Sequence, residues 1–246
     1  MTILNKIIII IFILNSMTWY YGIDSDISYM SFSRITNYKV PEIREEDRIV
    51  RILPIIEEVG HEFEALISRF EGLVLKVYND LGYSVKKGKN EAYLSPKKGT
   101  LHIGYGHKLI ESERVSGLIK IVNNGKIRII NIKNKITKEQ SFQILRNDAK
   151  QTQDMLNKYI NINLNQNEYD AFASYIFNVG YRGLFEIKNG RPQFNRPSKF
   201  LVLVNKDDIK NAVKYMDIVK SGGKVLRGLV KRRNEEQKLA LKPIKD

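Results

Sequence analysis

The chain has 246 residues, 43% of them hydrophobic, enough for one sizeable core with appendages. It has no cysteine, which excludes disulfides and thiolate chemistry. Its 41 Lys and Arg against 27 Asp and Glu give a formal charge of +14, which draws such a chain to polyanions: nucleic acid, anionic lipid or bacterial wall polymers.

The first residues, MTILNKIIIIIFILNS, set Lys6 before an unbroken apolar run from Ile7 to Leu14. That is the pattern of a secretory signal peptide or an uncleaved signal anchor over residues 1–22. Either form engages the membrane or the export machinery, so the rest of the chain is expected to be exported: periplasmic, secreted, or anchored facing the wall. Residues 23–52 lack clear periodicity and read as a linker, leaving 53–246 as the folded domain.

Apolar residues Ile55, Ile56, Val59, Phe63, Leu66, Ile67 and Phe70 recur at helical intervals, with Pro54 suited to the first turn, so the spacing predicts a helix from Pro54 onward. One more turn from Ile67 lands on Glu71, followed at once by Gly72. A carboxylate at the lip of an apolar face loses hydration, and its pKa rises, as a general acid requires. Nine positions on, Asp80 lies in the polar turn YNDLG, where an aspartate is expected to stay ionised. Two carboxyls whose pKa values are pushed apart make an acid with a base or nucleophile, as in glycoside hydrolysis. The plainer reading is that each is solvated or paired with Arg, and only proximity in the fold distinguishes the two.

Residues 81–101 are rich in Lys and Gly and read as a hairpin or long loop. Thr100 and His102 then stand two apart, which in a strand puts both on one face while Leu101 and Ile103 take the core face. GLIKIV and KIRIINI flank NNG, a strong hairpin signal, so a small antiparallel lobe is expected. Thr137 and Gln140 form a capping box opening a helix through Phe142, Leu145, Met155 and Leu156, with a break near Asp148. Asn165 and Glu168 open a second, with the stripe Tyr169, Phe172, Ala173, Ile176 and Phe177, closed by Gly180 and expected at the centre of the main lobe.

FNRPSKFLVLVNKDDIKNAVKYM reads as two short helices, Asp207 and Asp208 opening the second; Gly222 and Gly223 break the chain before a last helix, GLVKRRNEEQKLAL. There Arg232 and Glu236 are four apart and can pair on one face. The three histidines, His61, His102 and His107, lack HExxH or related spacing, and no phosphate loop or G-x-S-x-G elbow appears, so neither metal nor cofactor is expected. His61 is read as exposed and His107 as structural.

The segments FEGLVLKVYND, HIGYGH, ITKEQSFQIL, NEYDAFASYIFNVG and GLVKRRNEE, in this order over about Ile55 to Leu241, resemble the phage-type lysozymes, the endolysin family classed as glycoside hydrolase family 24. The resemblance implies a mainly helical, two-lobed α+β fold with a small antiparallel β lobe. It implies hydrolysis of the β-1,4 bond between N-acetylmuramic acid and N-acetylglucosamine in peptidoglycan, and a monomer is expected. Glu71 is then the proton donor and Asp80 the second catalytic residue. Asn178 matches a position against the substrate, with Ser198 taken beside it as a second sugar-contacting candidate, and Arg232 or Arg233 fixes Glu71.

One position departs from the family, which usually has a Thr directly before the IGYGH-like strand to position the attacking water. Here His102 stands there with Thr100 two residues upstream, so either takes the role, and inversion against retention stays open. Because the basic residues are not gathered into a nucleic-acid motif, anionic wall polymers are the expected polyanion and nucleic acid is not. Two alternatives stand beside hydrolysis: a lytic transglycosylase, needing the same acid but no water, and a cationic wall or membrane binder that kept the fold without the chemistry.

Overall fold

The computed structural model describes residues 55–243 apart from 124, 222 and 223. The readings of 1–22 as a leader, of 23–52 as a linker and of Pro54 as a first-turn residue lie outside the described residues, as do Gly222 and Gly223.

Helix α1 spans His61–Glu71, so it begins about two turns later than the apolar stripe predicts. The preceding backbone is taken by other helices. The Glu57 carbonyl accepts from Tyr169 Oη at 2.7 Å, Asn157 Nδ2 at 3.0 Å and Gln153 Nε2 at 3.2 Å, and the Glu58 carbonyl accepts from Gln166 Nε2. The cap also comes from outside the segment: Asp170, fully buried, accepts from Gly60 N–H at 2.6 Å and Phe63 N–H at 3.2 Å. Burial pushes the Asp170 pKa up, against the Gly60, Gln166 and Phe63 donors that favour its charged form. Phe63, Leu66 and Ile67 form the buried face, and Gly72, at φ 69°, ends the helix.

Strands β1 (Val74–Asn79), β2 (Leu101–Gly104) and β3 (His107–Lys108) form an antiparallel sheet in that order, with Tyr78 opposite His102. The long 81–99 connection carries only a bridge between Lys87 and Tyr93 and one 3₁₀ turn. After α2 (Glu111–Ser116), β4 (Leu118–Asn123) and β5 (Lys126–Asn131) make the second hairpin as predicted. Ile119, Ile121, Ile130 and Ile132 join Leu101, Ile103, Tyr93 and Ile144 in the core of this β portion.

Helix α3 (Lys138–Tyr159) opens with the Thr137–Gln140 capping box and runs unbroken through Asp148. The expected break is absent, and the Asp148 carboxylate contacts His107. Helix α4 (Gln166–Val179) opens with the Asn165–Glu168 box, ends at Gly180, and is buried on nearly every side, Phe172, Ala171 and Ala173 completely. Strands β6 (Phe185–Lys188) and β7 (Arg191–Pro197) form a hairpin the sequence reading lacks, turned by Asn189 and Gly190 at φ 52° and 73°. Helices α5 (Lys199–Val204) and α6 (Ile209–Ala212) follow, the latter capped by Asp208 as expected. The two-residue strands β8 (Lys220–Ser221) and β9 (Lys224–Val225) precede α7 (Arg227–Ala240). The architecture is mainly helical α+β with small antiparallel sheets. Among the described residues no helix is long and apolar enough to cross a membrane.

His61 is exposed, as read, and His107 is structural. Its Nδ1 lies 2.9 Å from Asp148 Oδ2 and its Nε2 3.1 Å from Glu113 Oε2, tying β3 to α3 and α2. Burial pushes the imidazole pKa down, but the two carboxylates outweigh it and raise it to about 10. Because the folded pKa lies above the unfolded one, near 6.5, this stabilisation is complete below about pH 6.5. It fades as pH rises through about 10. We expect urea unfolding to show His107→Asn destabilised by on the order of a few kcal/mol at pH 6, with the gap from wild type narrowing sharply by pH 10.5. A gap independent of pH would mean that the charge contributes nothing.

Candidate active site

The site is built outward from a buried charge on α7. Glu236 is completely buried; Oε1 accepts from Ser174 Oγ at 2.7 Å and from Arg232 Nε at 2.9 Å. Burial pushes its pKa up while Arg233 and Arg232 pull it down. Arg232, 2% exposed, also donates through Nη2 to the Ser174 carbonyl at 3.1 Å and through Nη1 to Glu71 Oε1. The guanidinium fork thus holds three partners on α1, α4 and α7 at once.

Arg233, one residue on, points elsewhere. Its Nη2 donates to Asn178 Oδ1 at 2.6 Å and its guanidinium stacks 4.8 Å from the centre of the Tyr175 ring. Nη1 comes within 3.0 Å of Glu236 Oε2 but off the hydrogen-bond axis, so both atoms and Arg233 Nε lack aligned partners. Of the two arginines proposed to fix Glu71, Arg232 makes the contact, and its pairing with Glu236 is also present. Glu71 itself does not sit at a dry apolar lip: its side chain is 31% exposed, and the restraint on it is ionic.

Asp80 is held by a different set of donors. Thr100 N–H donates to Oδ1 at 2.7 Å and the Thr100 hydroxyl contacts Oδ2 at 3.0 Å. His102 Nε2 stands 3.7 Å from Oδ2 and 2.5 Å from Thr100 Oγ1. Partial burial alone would raise the Asp80 pKa, but the Thr100 amide and hydroxyl, the His102 ring and the Leu81 amide hold it below the ordinary carboxylate value. His102 Nδ1 lies 2.9 Å from the Gly106 carbonyl, which only accepts, so this nitrogen carries a proton. Thr100 and His102 do share one face while Leu101 and Ile103 are buried, as the strand alternation predicts.

Tyr78 stands beside His102 on the paired strand, and the sequence reading missed it. Its ring lies 5.7 Å from that of His102. Burial, then Glu71, then Asp80 raise its pKa, so both carboxylates bear on this one phenol. The only signal was its place in VYND, two residues before Asp80 on a strand leading away from Glu71.

Asn178 is exposed at the end of α4 and brought to the arginine cluster. Ser198 is not: its hydroxyl donates to the Gly183 carbonyl at 2.8 Å and accepts from Leu201 N–H, capping α5. It lines a surface depression of about 360 Å³ with Tyr175, Arg182, Phe185 and Tyr215. No group of His, Asp or Glu among the described residues is arranged to hold a metal ion.

A mainly helical α+β domain with two separately anchored carboxylates, one at the end of α1 and one just beyond β1, has the architecture of lysozyme-like proteins. Residues 68–236 match the family model described as phage lysozyme, and the chain belongs to that family. It is 30% identical over 175 residues to the endolysin of Bacillus phage PZA, covering 71% of this chain and 51% of that protein. Thus the chain spans about half the length of that relative. It is also 30% identical over 179 residues to the endolysin of Acyrthosiphon pisum secondary endosymbiont phage 1, covering 71% of this chain and 91% of the other. Among solved structures it is similar to a P22 lysozyme mutant, 25% identical with a TM-score of 0.50 over 75% of this chain and 99% of that one.

Replacing Thr100 by Val removes a hydroxyl that favours ionised Asp80 while keeping the backbone amide. The Asp80 titration midpoint, followed by carboxyl-carbon NMR, should move up from its wild-type position. An unchanged midpoint would show that the hydroxyl does not support the carboxylate.

Proposed function

We propose that this chain is a peptidoglycan muramidase hydrolysing the β-1,4 bond between N-acetylmuramic acid and N-acetylglucosamine. The observation that carries the reading is that Glu71 and Asp80 are held by unlike donors, Glu71 by the buried Arg232 guanidinium and Asp80 by the Thr100 amide and hydroxyl. In this reading Glu71 protonates the leaving glycosidic oxygen, with Arg232 fixing Oε1 so that the carboxyl keeps one orientation. Asp80, ionised, stabilises positive charge developing on the sugar ring or assists the attacking water.

Thr100 anchors Asp80, and His102 anchors Thr100. The Thr hydroxyl lies between Asp80 Oδ2 and His102 Nε2, so the imidazole backs the residue that holds the carboxylate. His102 is therefore assigned as a positioning residue behind Thr100. Asn178, its carbonyl oxygen taken by Arg233, keeps an amide N–H₂ to donate to a sugar hydroxyl or N-acetyl carbonyl. Ser198 serves the substrate only through the depression beside Tyr175, since its hydroxyl caps α5.

Residues 1–22 are a signal peptide or anchor, 23–52 a linker and 53–246 the catalytic domain, which works as a monomer on the exported side of the membrane. The charge of +14 draws it to anionic wall polymers.

Digestion of purified peptidoglycan in heavy-oxygen water should release reducing muropeptides carrying one heavy oxygen, with release falling at least about 100-fold in Glu71→Gln. Asp80→Asn should lower turnover with little change in wall binding. Anhydro ends without heavy oxygen would overturn hydrolysis in favour of a lytic transglycosylase; release unchanged in Glu71→Gln would remove Glu71 as the acid.

A further inference from the structure

The β4–β5 hairpin has two faces of opposite character. The inner one, with Ile119 opposite Ile130, is the core of the β portion. The outer one pairs Lys120 with Ile129, Val122 with Ile127 and Leu118 with Asn131. A solvent-facing strand surface is ordinarily polar, yet Ile129 is 64% exposed, Ile127 58%, Val122 43% and Leu118 38%. Four aliphatic side chains therefore share one uncovered face around a single lysine. From Gly117 to Lys135 the chain carries five basic residues, Lys120, Lys126, Arg128, Lys133 and Lys135, and no acidic one.

Candidate occupants differ in what they would do with the isoleucines. A phosphate-rich wall polymer would meet the basic residues but has no apolar surface to cover the aliphatic ones. Single-stranded nucleic acid would require rings for stacking, and residues 118–131 contain no aromatic residue. An anionic lipid surface satisfies both halves, since headgroup phosphates neutralise the rim and the acyl boundary takes the aliphatic groups. We propose that the outer face of β4–β5 docks the domain onto an anionic membrane surface, with Ile127, Ile129 and Val122 entering the acyl boundary and Lys120, on the same face, lying against lipid phosphates, while the other basic residues of the hairpin add to the positive field around it. Docking of this kind is peripheral and separate from Glu71 and Asp80.

The test uses the full chain with Trp19→Phe, which removes its one native indole, together with Ile129→Trp as a local reporter. Vesicles of phosphatidylglycerol and phosphatidylcholine should shift the emission of the introduced indole to the blue, and bromination of the acyl chains should quench it. Pure phosphatidylcholine vesicles should leave both unchanged. Adding Lys120→Glu should weaken the anionic-vesicle response by about ten-fold or more, given roughly a five-fold effect for each unit of charge near such a surface. Ile127→Ser should weaken it several-fold, with the circular dichroism of each variant kept at wild type. The proposal is overturned if the chain sediments with vesicles while the indole is not quenched, because another segment then makes the contact. It is equally overturned if the blue shift appears without lipid and grows with protein concentration, which would make the occupant a second copy. A glycerol-phosphate polymer reproducing the shift without lipid would also sink it.

Discussion

The interaction on which the rest depends is the buried guanidinium of Arg232. A charge with 2% of its surface exposed is costly to leave unpaired, and Arg232 finds Glu236 on its own helix, Ser174 on α4 and Glu71 at the end of α1. Those elements arrive from distant parts of the sequence, Glu71 and Arg232 lying 161 positions apart. Removing one partner of such a buried pair typically costs about 3–5 kcal/mol, because the other charge is left uncompensated. Docking of α7 against α4 and orientation of Glu71 are therefore one event: the residue that closes the helical core also aims the carboxyl.

Glu71 and Asp80 are held in unlike ways, and the difference suits unlike roles. Glu71 is gripped by a fixed cation on one oxygen while about a third of its side chain remains open to solvent. Asp80 is gripped on both oxygens, by an amide and a hydroxyl, an arrangement that favours the charged form and resists protonation. A group that must gain and lose a proton needs an accessible oxygen; one that must stay negative beside a developing cation needs donors already in place. His102 extends the second arrangement by backing Thr100 and is itself locked to the Gly106 carbonyl of the turn that follows.

What was legible in the sequence was local. The Thr137–Gln140 and Asn165–Glu168 boxes place two helix starts correctly because cap and capped residues lie within one turn. Strand alternation places Thr100 and His102 on one face for the same reason. The start of α1 was illegible because its cap, Asp170, comes from 110 residues away and competes with an apolar stripe that would otherwise extend the helix. Arg232 and Arg233 were inseparable as partners of Glu71, since they are neighbours about 100° apart on a helix, and only the packing angle of α7 decides which one reaches α1. Tyr78 was missed because nothing in VYND shows that its strand would pair with the one carrying His102. The β6–β7 hairpin was missed because Arg191–Pro197 contains two prolines and no apolar alternation, so it reads as loop.

Asp80 and Thr100 are 20 positions apart, and the intervening loop is anchored at its base. Asp80 N–H donates to the Thr100 carbonyl at 3.1 Å while Thr100 N–H returns to Asp80 Oδ1, and Asn79 Nδ2 donates to the Lys98 carbonyl. Gly99, at φ 76°, lets the backbone pass so close to the Asp80 carboxylate that a Cβ there would collide with it. With its ends pinned in this way, the loop can vary in length and charge without moving the carboxylate, because closure entropy grows only slowly with loop length. The five lysines it carries, Lys86, Lys87, Lys89, Lys97 and Lys98, are thus free to be selected for attraction to a polyanion while the geometry of Asp80 is set by four residues at the loop's base. Catalytic geometry and surface charge, which in a shorter connection would constrain one another, are separated here by the backbone and side-chain hydrogen bonds that close the loop's base.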